Sequence, residues 1–220
     1  MKRYEKALED FSRAIEIDPE YDWAIALRGW TYHSMKRYKE ALEDFSRAIE
    51  IDSEYEWAIG ERGEIYRLLN RHEEAIADFN RVTEINPDYS CHNEWGLVLS
   101  YQGKYSEAIE IYRQSLKKDS DSYSIIYNIA IATVRWKSLI NAQLQVDIAY
   151  RTLSKIIATE HRGAAFYGLG GLKAVAGKSD EALDLLKQAI ASDRSALIWA
   201  RQDIAWLDLR SDTRFQELIS

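Results

Sequence analysis

The sequence predicts an all-α protein, an α-α solenoid (superhelix) of stacked antiparallel helix pairs, and three observations carry that prediction. The first is a repeat. The segment from Met35 to Tyr55, MKRYKEALEDFSRAIEIDSEY, matches the opening MKRYEKALEDFSRAIEIDPEY at eighteen of twenty-one positions, displaced by thirty-four residues. Self-similarity at such a period marks a repeat array. The second is the spacing of apolar residues at three and four, as in Tyr4, Ala7, Leu8, Phe11, Ala14 and Ile15, which makes one stripe on a helix. The third is composition: only two prolines and ten glycines in 220 residues, against abundant Ala, Leu, Ile, Glu, Lys and Arg.

Taken in order, residues 1–21 read as a lone second helix, stopped at Asp18-Pro19 because proline disfavours helical geometry in the residue before it. A helix from about Asp22 to Met35, a turn at Lys36-Arg37 and a helix over Tyr38 to Ile51 make the first full repeat, 22–55. The next, 56–88, has helices over Glu56 to Leu69 and His72 to Ile85, with Asn70-Arg71 between them and Asn86-Pro87 closing it. Tyr89 to Gln102 and Tyr105 to Lys117, joined by Gly103-Lys104, form 89–122. Short turns place paired helices side by side.

From Tyr123 the pattern degrades. Repeat 123–162 holds seven more residues between Ala130 and Ala149 than the period allows. The segment Trp136 to Val146 reads either as a longer loop or as an extension of both helices by about two turns, and the extension is favoured because WKSLINAQLQV has neither Gly nor Pro. The pattern returns in 163–196, with Gly177-Lys178 as its turn. Residues 197–220 read as a cap: one helix over about Ser195 to Leu209, then a short one from Asp212. Terminal repeats of arrays are atypical because they must close the core against water.

These residues resemble the tetratricopeptide repeat family. Gly29, Tyr32, Ala41, Phe45 and Ala48 fall at its spacing, as do Gly63, Tyr66, Ala75, Phe79, Val82 and Pro87, and then Trp95, Gly96, Leu99, Ala108, Tyr112 and Ser115. Ile25 and Ile59 depart from the pattern's tryptophan, Arg28 and Arg62 from its leucine, and Ser53 from its proline. The resemblance implies a non-catalytic protein–protein interaction scaffold whose first helices line a concave face that holds a peptide. On that face it places Trp23, Trp30 and His33, then Trp57, Glu61, Glu64 and Arg67, then Ser90 and Asn93, and finally Tyr127 and Asn128. An amide such as that of Asn93 or Asn128 can hold a peptide backbone by two hydrogen bonds. A family subtype clamps C-terminal carboxylates with Lys, Asn and Arg, but the matching positions here hold Ala26, Trp30, Glu61 and Glu64. A neutral to basic peptide suits those acids better.

Arg28 and Arg62 stand where an apolar residue is usual, while Asp10, Asp44 and Asp78 recur on second helices. The expectation is that each arginine reaches an aspartate on a neighbouring helix. The lone first helix should leave part of Tyr4, Leu8, Phe11 and Ile15 uncovered, so the alternative reading is a structural module that self-associates through this edge into a homo-oligomer.

Other functions find little support. A net charge of −7 argues against a nucleic-acid partner. No run of about eighteen apolar residues occurs, which argues against a membrane span. Cys91 is the only cysteine, so no intrachain disulfide can form, and a cytoplasmic location is expected. The histidines His33, His72, His92 and His161 lack the i, i+4 spacing of helical zinc ligands and read as scattered surface groups. Gly168, Gly170 and Gly171 lie in a helical pattern and read as packing sites rather than a phosphate loop. No cofactor, metal or catalytic group is expected.

Overall fold

A computed structural model describes residues 2–89 and 91–220, with the Lys2 side chain excepted. The helices are α1 (Lys2–Ile17), α2 (Asp22–Ser34), α3 (Tyr38–Ile51), α4 (Glu56–Leu68), α5 (His72–Ile85), α6 (His92–Tyr101), α7 (Tyr105–Lys118), α8 (Tyr123–Lys137), α9 (Gln143–Lys155), α10 (Arg162–Val175), α11 (Ser179–Ser192), α12 (Ser195–Gln202) and α13 (Thr213–Ile219). Short 3-10 segments cover Ile140–Ala142 and Ile204–Leu209. Among the described residues there is no strand.

The chain forms two compact units, Met1–Val98 and Leu99–Ser220, and each has its own core. In the first, α2 packs on α3 and α4 on α5, with Ala41, Phe45 and Ala48 and their counterparts Ala75, Phe79 and Val82 buried between them. In the second, α8 packs on α9 and α10 on α11, and the segment after α11 closes over them.

Two local devices repeat. Between the helices of four pairs the chain turns through a left-handed residue: Lys36 (φ 59°), Asn70 (φ 57°), Gly103 (φ 74°) and Gly177 (φ 72°). The next amide closes each helix end, as when Arg37 N–H donates to the Tyr32 carbonyl at 2.9 Å and Arg71 N–H to Tyr66 at 2.8 Å, which satisfies otherwise orphaned carbonyls. After the second helix, a side chain accepts from the amide two residues on. Asp18 takes Glu20 N–H at 3.0 Å, Asp52 takes Glu54 N–H at 2.9 Å and Asn86 takes Asp88 N–H at 3.0 Å.

Three expectations are corrected. The stretch after Trp136 does not extend both helices by two turns. α8 stops at Lys137, Ser138 turns at φ 85°, a 3-10 segment follows and α9 starts at Gln143. Ser138 supplies the left-handed break that glycine supplies elsewhere, so the missing Gly was a poor guide. The helix expected over Ser195 to Leu209 breaks at Asp203, whose backbone is extended and whose carboxylate caps Ala205 N–H at 2.8 Å. Nor are all the histidines at the surface, since His92 is buried.

Candidate protein-binding face

In the first unit the face that the resemblance implies would be built from α2, α4 and the start of α6. Trp23 and Trp30, seven residues apart on α2, share a side of that helix and are 52% and 45% exposed. Tyr21 stacks on Trp23 with ring centroids 6.0 Å apart. Thirty-four residues on, Tyr55 and Trp57 again lie 6.0 Å apart but with their rings tilted, and Trp57 also meets Phe45 edge-to-face at 6.1 Å and is half-buried. The resemblance therefore places two kinds of tryptophan together: Trp23 and Trp30 offer open rings, while Trp57 belongs partly to the core.

The polar residues of this face are bonded to one another. His33 Nδ1 lies 3.3 Å from Glu61 Oε2 and ties α2 to α4. Arg67 Nε and Nη2 donate to the Glu64 carboxylate at 2.6 and 2.7 Å, a paired fork within α4. Asn93 donates to Glu94 at 3.2 Å. Burial raises the Glu94 pKa and the nearby Glu64 adds to the rise, while hydrogen bonds from the backbone and Asn93 and the charge of Arg67 oppose it. Burial likewise lifts the Tyr55 phenol to about 12, helped by Asp22, Asp52 and Glu56. Ser90 lies outside the described residues. Among the described residues assigned to this face, Glu61, Glu64 and Glu94 outnumber Arg67, which makes it acidic.

Two assigned residues fall elsewhere. Tyr127 is buried in the second core, where its hydroxyl donates to Asp203 Oδ2 at 2.7 Å. It offers no open ring for a peptide, which corrects its assignment to the face. Asn128, beside it on α8, is half-buried. At the N-terminal edge Ile15 is buried in the first core and so contributes nothing to an open edge, again a correction. Tyr4 is exposed, and Leu8 and Phe11 are half-buried.

The arginine–aspartate pairs do form. Arg28 donates through Nε and Nη2 to both oxygens of Asp44 at 2.8 and 2.7 Å, and Arg62 repeats this on Asp78 at the same distances. Each arginine also reaches the preceding second helix: Arg28 Nη1 lies 3.2 Å from Ser12 Oγ and Arg62 Nη1 3.3 Å from Ser46 Oγ. The hydrogen bonds to the aspartates raise both guanidinium pKa values. Among the described residues, no arginine forms such a pair with Asp10.

Sequence reasoning missed the knot in the second unit. Tyr167 Oη donates to Asp203 Oδ2 at 2.9 Å and accepts from Trp206 Nε1 at 3.1 Å, while Arg135 reaches Asp208 at 2.8 Å and the Ile204 carbonyl at 2.9 Å. Burial raises the Asp203 pKa against these hydrogen bonds. Gly168, Gly170 and Gly171 sit inside α10 against Leu153, Trp206 and Tyr127, where a Cβ would crowd each neighbour, so they are packing sites. Among the described residues no group of three His, Cys, Asp or Glu side chains could hold a metal. No helix there is long and apolar enough to cross a membrane.

Comparison with known proteins bears on this architecture. Family models described as tetratricopeptide repeat match residues 23–55 and 57–89, 96–122 and 1–21, together more than half of the chain. No curated protein matches. Among solved structures, PilW, described as a widely conserved type IV pilus biogenesis factor, is similar at a TM-score of 0.69 and 16% identity, over 100% of this chain and 92% of that one. YrrB, described as a TPR protein with an unusual peptide-binding site, aligns at 0.60 and 19% identity over 89% of this chain and 100% of its own. MamA aligns at 0.66 and 18% identity over 71% and 92%. At such identities the likeness is one of fold. With its thirty-four-residue period, its small residues at the helix crossings and these matches, the chain belongs to the tetratricopeptide repeat family.

Proposed function

We propose that the protein is a non-catalytic scaffold, and that the face of α2, α4 and the start of α6 holds a neutral or basic segment of a partner protein. One observation carries this reading. Trp23 and Trp30 are open rings on one side of α2, and His33, one turn on from Trp30, meets Glu61 of α4. Aromatic side chains give large contact area at low entropic cost and dominate many interfaces, while the carboxylates set the charge of what they meet. The amide of Asn93, bridged to Glu94, adds a polar group that can orient a backbone. A reducing compartment such as the cytoplasm suits a chain whose single cysteine is buried.

The test is a set of three baits: the native chain, Trp30→Ala and Leu8→Glu. Loss of a bound partner with Trp30→Ala alone supports the face. Loss with Leu8→Glu alone favours the competing reading, assembly through the edge bearing Tyr4, Leu8 and Phe11, and overturns this one.

A further inference from the structure

The outer face of α9 differs from every other second helix of the full repeats. Just before the small residue at the helix crossing stand Glu40, Glu74, Glu107 and Glu181, yet α9 has Ile148. Two residues after the crossing position stand Glu43, Glu110 and Asp184 in three of those helices and Ala77 in α5, whereas α9 has Arg151. Ile148 is 43% exposed, Leu144 one turn before it is 64% exposed and Ile140 a further four residues back is 85% exposed. Residues four apart lie on one side of a helix, so Leu144 and Ile148 make an open apolar ridge that Ile140 prolongs. Trp136, 51% exposed with Lys137 over its ring at 4.3 Å, stands before the ridge, and Arg151 after it.

We infer that this ridge is a docking site for an acidic amphipathic helix of a partner protein, distinct from the face of α2 and α4. Four repeats keep a carboxylate where α9 exposes isoleucine, and such a charge is what keeps an outer face from associating. Its removal, together with the acid-to-base reversal at Arg151, leaves a surface complementary to leucines flanked by glutamates. A ridge with an i, i+4 step fits the groove of another helix. A second copy of the chain suits it less, because antiparallel pairing about Leu144 would set Lys137 against Arg151. An anionic bilayer also suits it less, since the same unit exposes Glu107, Glu110 and Asp184 on its other second helices.

The test uses the full chain and a labelled synthetic helix of roughly 15 residues, long enough to hold a helical fold on a surface, with leucines on one face and glutamates beside them. A counterpart carries lysines in place of the glutamates. The acidic peptide should bind at least ~tenfold more tightly than the basic one, and Ile148→Glu and Arg151→Glu should each weaken it ~tenfold or more. Both substitutions install residues that equivalent helices already carry, so the melting point should not change. Equal binding of the two peptides, no binding, or binding unaffected by Ile148→Glu overturns the inference. So does Ile148-dependent self-association in sedimentation, or Ile148-dependent flotation with phosphatidylserine vesicles.

Discussion

At two crossings in the molecule the backbones meet alike while the side chains beside them differ in kind. Where α2 crosses α3, a Cβ on Gly29 would lie 3.1 Å from Asp44 Cβ; where α10 crosses α11, one on Gly170 would lie 3.3 Å from Leu185 Cβ. Next to the first glycine is Arg28, forked onto Asp44. Next to the second is Leu169, in the position equivalent to Arg28, while Leu185 stands where Asp44 does. The small residue sets the approach of the helices in both cases. The pair beside it can be ionic or apolar, so the ion pair is not what makes the repeat fold. Buried ion pairs are often no more stabilising than apolar residues of the same volume, but losing one partner is costly.

That contrast can be broken most forcefully at Arg62. With Asp78 buried and its partner gone, Arg62→Met should lower stability by about 2–4 kcal/mol in chemical unfolding, somewhat under the fully buried case because the guanidinium keeps some solvent. An unchanged midpoint would show the pair to be idle. In the second unit the equivalent sensitivity should sit in packing. A Cβ on Gly171 would fall 2.1 Å from the Tyr127 hydroxyl, so Gly171→Ala should cost about 1–3 kcal/mol, and adding Tyr127→Phe should recover part of it in a double-mutant cycle. Simple additivity would mean that the hydroxyl is not the obstacle.

The sharper test transplants one solution into the other. Arg62→Leu with Asp78→Leu should leave stability within about 1 kcal/mol of the native chain, because no charge is left unpaired. A loss as large as that of Arg62→Met alone would mean that the ion pair does more than satisfy itself. The smallest effect is one of pH. Burial raises the Asp203 pKa, so in the window between its unfolded value and the raised folded value the folded state holds the extra proton. Stability there falls as pH rises, and Asp203→Asn should flatten that part of the curve, read as melting temperature against pH. The same slope in the variant would place the proton elsewhere.

Much of the fold was legible because its causes are local. The period, the apolar stripes and the turn at each Lys-Arg, Asn-Arg or Gly-Lys step lie within a few residues of each other. The Arg28–Asp44 and Arg62–Asp78 pairs were legible too, because both partners recur at fixed places in a repeat whose geometry is known. Tyr127 was misassigned for the opposite reason. Its position in the repeat suggested an open face, but its partner Asp203 is seventy-six residues away in a segment that obeys no period. The break after α8 is hidden in the sequence because Ser138, not a glycine, takes the left-handed turn. Among the face residues, sequence could name Trp30 and Trp57 alike, yet only the structure separates the open ring from the one leaning on Phe45.

The contacts of Arg62 have a consequence for how such a gene can change. Its guanidinium takes Asp78 sixteen residues ahead and Ser46 sixteen residues behind, and Arg28 does the same with Asp44 and Ser12. A thirty-four-residue stretch duplicated by unequal recombination would thus arrive with every bonding partner already in phase. Lengthening of this part of the molecule needs no compensating substitution, which leaves the near-identical copies free to multiply before they diverge.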